Sequence, residues 1–307
     1  MNYLQLYNSL CKTTIFVVFL VICAGGFVRM TGSGMGCPDW PKCFGSWIPP
    51  TDISDLPINY KEIYSDRGYD TLDFNAFNTW TEYVNRLLGL IAGFFCVSLL
   101  LVSCFISDKF LIAINLLLVS LMGFQGWMGA VVVYSVLAPF KITIHMLIAL
   151  LIVSVLLFLN RITVTTPFSA YHGPNRWIWL ALIISIIQII IGTQVRENVD
   201  VLMGNLDREY IINALPFVFE THRIVAWLVI AVNIMLVIYY RKWILVYFEI
   251  RGIIFALSFL LLTGLLMTYY ELQGLFQFVH LISAVILFIL QTSILMKKLN
   301  FSTVKFP

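Results

Sequence analysis

The sequence predicts an all-α polytopic membrane protein, with eight transmembrane helices arranged as two pseudo-repeated four-helix bundles. Three observations carry this expectation. Of the 307 residues, 60% are hydrophobic and 11% charged, against about 25% charged in soluble domains, so the chain is composed for a lipid solvent. Eight apolar runs each approach the roughly 20 residues that cross the hydrocarbon core as a helix. Three of the four histidines, His145, His222 and His280, each sit a few residues inside the start of such a run. Ionisable side chains are costly there and mark function by default.

The spans are expected at 13–31, 80–106, 110–134, 139–160, 176–196, 217–240, 251–270 and 275–296. The apolar stretch from Thr14 to Phe27 continues directly into a polar motif, so it reads as a retained helix rather than a removable signal. A long loop, 31–79, precedes the second span, whose adjacent N-cap is expected at Thr79 or Thr81. The seventh and eighth spans are separated only by Glu271-Leu272-Gln273-Gly274 and form a tight hairpin. Residues 161–175 read as a linker, with His172 a solvated loop residue beside Gly173-Pro174. The chain thus divides into a bundle at 1–160, a linker at 161–175 and a bundle at 176–307.

Net charge is only +3 with no basic cluster, which argues against nucleic acid as a partner and leaves the bilayer. Lys12, Lys109, Arg161, Arg176, Arg241, Lys242, Arg251, Lys297, Lys298 and Lys305 lie on the side of the two termini, with Asp108 and Glu249. The other nine basic residues lie opposite, largely in the long first loop or at helix mouths. Positive-inside logic therefore places both termini in the cytoplasm. Cys11, Cys23, Cys96 and Cys104 lie in or beside helices and read as small buried apolar residues. Cys37 and Cys43, in the segment GCPDWPKC, either pair as a disulfide, if that loop faces an oxidising compartment, or remain free thiols. Their spacing matches no common zinc pair.

The two halves repeat one another. Gly25-Gly26-Phe27-Val28-Arg29 closes the first span and Gly192-Thr193-Gln194-Val195-Arg196 the fifth. Glu82-Tyr83-Val84-Asn85-Arg86 opens the second, and Glu220-Thr221-His222-Arg223 the sixth. His145 in the fourth span is matched by His280 in the eighth. Because the offset is four helices, both halves have one orientation and their sites open to the same outer face. The second half offers His222 and His280 as a bis-histidine axial pair for heme. The first offers His145 opposite Asn85, a poor iron ligand, so one axial position there is open or weakly held.

At these residues the chain resembles the heme A synthase family. The matching pieces are the stretch from Arg29 through Cys43, Glu82 through Arg86, Gly126 through Gly129, Gly192 through Glu197, Glu220 through Arg223, and the late histidines. The resemblance spans about residues 15–296. It implies a bacterial inner-membrane enzyme that converts heme O to heme A by oxidising a ring methyl to a formyl group. Heme b would be held by His222 and His280, and the substrate heme by His145. Glu82 matches the glutamate thought to act in the chemistry. The family's histidine three residues later is here Asn85, which puts two-histidine ligation of the substrate in doubt but not the fold. The loop after the fifth span has no cysteine, so any thiol relay rests on Cys37 and Cys43. Heme O synthase, a protoheme farnesyltransferase, would supply the substrate, and cytochrome oxidase assembly would use the product. A homo-oligomer is left open, and so is the electron acceptor.

Each residue also has a plainer role. The histidines could be packing residues, and Glu82 could be an acid stabilised by the helix dipole, worth about 0.3–1 kcal/mol. Oxidising a methyl group beside a porphyrin builds positive charge on carbon and releases protons, which a nearby carboxylate would stabilise and accept. Arg29, Arg86, Arg196 and Arg223 either snorkel to water or anchor heme propionates through guanidinium–carboxylate pairs. The rival function is a non-catalytic b-type heme carrier or electron-transfer protein on the same fold, favoured by Asn85.

Overall fold

The computed structural model describes residues 3–136, 140–164, 176–203, 208–270 and 274–298. Eight helices in it are long and apolar enough to cross a membrane. They are α1 (Tyr3–Met30), α2 (Ala76–Ile106), α3 (Lys109–Tyr134), α4 (Lys141–Thr163), α5 (Arg176–Met203), α6 (Phe217–Tyr239), α7 (Phe248–Tyr269) and α8 (Gly274–Lys298). The chain is an all-α integral membrane protein, and among the described residues no β-strand is formed. His172, residues 165–175 of the expected linker, Glu271–Gln273 of the expected hairpin and Lys305 lie outside the described residues.

Several helices outrun the apolar stretches that locate them. α1 starts at Tyr3 because one face of its polar-flanked first turns is packed. Tyr7 and Cys11 are buried, and the Tyr7 hydroxyl donates to Asn115 Oδ1 on α3 at 3.0 Å. α4 runs on to Thr163, three residues into the expected linker. α5 continues to Met203 with an Arg196–Asp200 pair at 2.8 Å on its added turns.

α2 begins a turn before the expected cap. Asn75 is the N-cap and accepts the Asn78 N–H at 3.1 Å. Neither Thr79 nor Thr81 caps the helix; the Thr79 hydroxyl donates to Gly36 O at 2.8 Å instead. Glu82 therefore lies in the second turn, past the reach of a capping role.

The chain divides into two compact units, the division falling between Asn160 and Arg161. In the first unit α1 packs on α2 and α2 on α3. The loop ahead of α2 folds over its end. A Cys37–Cys43 disulfide closes it, with the Cα atoms 4.9 Å apart. Phe44 is ringed edge-on by Tyr64, Tyr69, Phe74 and Tyr60 at centroid distances of 5.5, 5.3, 5.7 and 6.3 Å. This aromatic cluster gives the loop a core of its own.

Gly36 is the point of closest approach between loop and helix. A Cβ there would lie 2.4 Å from Asn78 O, a backbone atom that cannot swing aside. Gly36→Ala is expected to destabilise the protein by about 1–3 kcal/mol and to hasten reduction of the disulfide. Thermal unfolding in detergent checks this, and an unchanged midpoint would contradict it.

In the second unit α5 packs on α6 and α8, and α7 on α8. Its core holds an amide pair, Gln291 Nε2 donating to Asn233 Oδ1 at 2.8 Å. At the far end a buried Glu249 pairs with Lys297 and accepts the Ser293 hydroxyl at 3.0 Å. Of the single cysteines, Cys11 and Cys96 are buried as expected, whereas Cys104 is exposed and Cys23 half-buried. Lipid tails are as apolar as a protein core, so composition does not reveal which way a thiol on a spanning helix faces.

Candidate functional site

His222 and His280 come together. They stand on neighbouring turns of α6 and α8, near the ends where both helices begin, with ring centroids 6.3 Å apart and planes inclined by 54°. A metal bound to one nitrogen of each ring at 2.0–2.1 Å sets imidazole centres about 6 Å apart, so the separation suits a metal held between the rings.

The hydrogen bonds around His280 fix its tautomer. Thr263 Oγ1 lies 2.8 Å from His280 Nδ1 and 2.6 Å from Phe259 O. A carbonyl only accepts, so the hydroxyl proton goes to Phe259 and Nδ1–H donates to the hydroxyl. That leaves the Nε2 lone pair free, the usual state of a metal-binding histidine with an oriented outer nitrogen. Among the described residues no group of three or more His, Cys, Asp and Glu side chains is placed to hold an ion. Two imidazoles at this separation would suit a metal-containing cofactor that brings further donors of its own.

Glycine provides the seat for each ring. A Cβ on Gly192 of α5 would come within 3.2 Å of His222 Cε1, and one on Gly264 of α7 within 3.6 Å of His280 Cε1. The first unit repeats the arrangement. A Cβ on Gly129 of α3 would lie 3.8 Å from His145 Cε1 on α4, and one on Gly25 of α1 3.9 Å from Asn85 Oδ1 on α2. Two glutamines fix the backbone at these points. Gln188 Nε2 donates to His222 O at 3.1 Å, and Gln125 Nε2 to His145 O at 3.1 Å.

Several polar atoms at this level are shielded from water and, among the described residues, have no hydrogen-bond partner. They are Asn85 Oδ1, Gln125 Oε1, His145 Nδ1 and Gln188 Oε1. Each such atom costs about 1–3 kcal/mol, and their gathering around the histidines fits a bound polar-edged molecule in each unit.

Glu82 is built into the loop. It is 5% exposed, and its Oε2 accepts the Cys37 N–H at 2.9 Å. Its Oε1 takes Arg86 Nε at 3.1 Å and also Arg86 Nη2. Arg86 Nη1 donates to Asp39 O at 2.7 Å and Lys42 O at 2.9 Å, and Nη2 to Cys37 O at 3.3 Å. All five guanidinium donors are thereby engaged. Arg86 ties the carboxylate to the disulfide loop and has no donor left over in this arrangement. Nearby, the Tyr69 hydroxyl donates to Met35 O at 2.6 Å. Burial first, and then the Glu82 charge, push this phenol above its ordinary range.

The corresponding acid of the second unit does none of this. Glu220 stands two residues before His222, whereas Glu82 stands three before Asn85. A one-residue slip turns a side chain about 100° around a helix, and Glu220 is exposed, paired with Arg223 at 3.2 Å. Arg29 is half-buried in the last turn of α1, and Arg196 pairs with Asp200 at 2.8 Å. The four glycine seats, Gln125, Gln188 and Thr263 escape a reading based on ionisable residues. The glycines do leave a signal: Gly192 follows Gly25 by the same 167 residues that separate Arg196 from Arg29, and Gly264 follows Gly129 by the same 135 that separate His280 from His145.

The model of a family described as cytochrome oxidase assembly protein, COX15-CtaA, matches residues 8–292. Similar curated proteins carry the name heme A synthase. That of Shewanella oneidensis is 30% identical over 152 residues, covering 49% of this chain and 43% of the relative. That of Pelagibacter ubique is 28% identical, covering 70% of this chain and 66% of the relative. That of Ehrlichia canis is 27% identical, covering 97% and 94%. The chain thus spans less than half the length of the Shewanella relative in that match, and nearly all of the Ehrlichia one.

Proposed function

Because the chain belongs to the COX15-CtaA family of cytochrome oxidase assembly proteins, we propose that it is a heme A synthase, oxidising the methyl group of heme O to a formyl group by successive hydroxylations. The observation that carries this reading is the repeated seat: a side chain at a ligand position, backed by a glycine of the neighbouring helix, four times over. In the second unit, within a bundle that we place at residues 176–307, His222 and His280 would hold heme b. When bound, that group supplies one-electron transfer toward an acceptor.

In the first unit, residues 1–160, His145 would hold the iron of the substrate heme, with Asn85 of α2 as the counterpart of His222. Glu82 lies one turn before Asn85 on α2 and serves the reacting carbon as a fixed negative charge. Arg86 and the Cys37 N–H hold that charge in place, so it needs no reorganisation as positive charge develops. The disulfide loop covers this end of the unit and limits water. Arg29, Arg196 and Arg223 stand near helix mouths, where guanidinium groups suit propionates; Arg86 would reach one only by giving up a loop carbonyl.

We place both termini in the cytoplasm of a bacterial inner membrane, residues 161–175 as the linker on that side, and both heme sites toward the outer face. Heme O synthase would feed the first unit, and heme A would pass to cytochrome oxidase assembly. One observation favours the rival, a non-catalytic heme carrier or electron-transfer protein: Asn85 stands where a second substrate ligand would be.

The test is the heme content of membranes from cells making this chain together with a heme O-forming enzyme. Heme A or its hydroxymethyl precursor is expected after extraction and chromatography. Unchanged heme O alongside protein-bound heme b would favour the carrier.

A further inference from the structure

We propose that the first unit carries a binding site for a small neutral iron ligand on the Asn85 side of its heme, in the space that the His222 ring fills in the second unit. This rests on the reading of both units as heme sites. Asn85 and His222 occupy equivalent places on α2 and α6, each backed by a glycine from the preceding long helix. In the second unit the imidazole lies so close that a Cβ built on Gly192 would stand 3.2 Å from His222 Cε1. In the first, the carboxamide stands 3.9 Å from a Cβ built on Gly25, an ordinary contact.

Asparagine lacks two ring atoms of histidine, and one of them is the Nε2 that would reach the metal. From the same seat its amide ends about one bond length or more short of a 2.0–2.1 Å metal–nitrogen distance. It borders the axial position without filling it. The space corresponds to the missing ring atoms and suits a diatomic gas or a water molecule.

The amide also provides recognition. Its Oδ1 is shielded from water and has no hydrogen-bond partner among the described residues, and a carboxamide presents both donor and acceptor groups. A water on the iron would donate to that oxygen, and a diatomic ligand, which has no proton to give, would accept from the amide nitrogen instead. The buried Glu82 carboxylate one turn away disfavours an anion and burial disfavours any added charge, which selects neutral ligands. On the other face, His145 backed by Gly129 supplies the protein ligand. The second unit has no equivalent site, because both of its axial positions are taken by imidazole.

The experiment uses the full-length purified protein loaded with heme, titrated with carbon monoxide when reduced and with nitric oxide when oxidised, and followed by absorbance. One of two bound hemes is expected to respond, with one ligand per chain. Asn85→His is expected to reduce the response at least tenfold while both hemes stay bound. Two bound hemes that both ignore the probes would overturn the inference and leave the heme reading standing. Undiminished probe binding by Asn85→His would overturn it as well. A single heme, lost with His222→Ala, would remove the first-unit heme site and the inference with it.

Discussion

Replacing His280 with alanine is expected to strip the purified protein of its heme b absorbance, and His222→Ala should do the same. Each variant removes one of the two proposed heme ligands, whose rings stand 6.3 Å apart, and no third His, Cys, Asp or Glu among the described residues is grouped with them to take over. A loss of at least tenfold in bound heme is expected, equivalent to about 1.4 kcal/mol or more. Thr263→Val refines the assignment. It keeps the shape of the site but removes the acceptor of the Nδ1–H bond. It should weaken heme binding less than His280→Ala, since the outer partner orients the ring without binding the metal. A spectrum unchanged by His280→Ala would return that residue to helix packing.

Glu82→Gln should abolish heme A formation while heme b absorbance is retained, because the second unit has its own core and ligands. The glutamine keeps the shape of the carboxylate but not its charge. It also sets an amide donor against Arg86 or Cys37, which both donate to this position. Stability should fall too. The Glu82 and Arg86 side chains are only 6% and 13% exposed, and removing one partner of a buried ion pair costs about 3–5 kcal/mol. Glu82→Ala should therefore lower the melting temperature by several degrees and loosen the disulfide loop. Comparing the two variants separates the roles. Full product formation in Glu82→Gln would reduce Glu82 to holding the loop.

The eight spans, and the pairing of His222 with His280, are legible in the residues, since both rest on local pattern. The apolar runs located every long helix, and the extra turns of α1 and α5 were missed because they are stabilised by tertiary contacts and a helical ion pair rather than hydropathy. The N-cap of α2 was misplaced by a turn because Asn75, Thr79 and Thr81 are all capping residue types. What separates them is the Gly36 carbonyl, brought from 43 residues away to take the Thr79 hydroxyl. Cys37 and Cys43 left two outcomes open on spacing alone, and the folded loop joins them.

Arg86 shows the difference most plainly. As a sequence position it was an arginine one turn beyond an acid, equally suited to water or a propionate. In the fold its five donors meet Glu82 and the carbonyls of Cys37, Asp39 and Lys42. By itself the sequence determined the membrane class, the eight helices and the duplication, because crossing lipid depends on the summed hydropathy of consecutive residues. Only the tertiary structure decided which face each helix turns to its neighbours. Lipid and protein interior are alike in polarity, so the glycine seats, the outward Cys104 and the buried Glu82 are set by which side chains fit together.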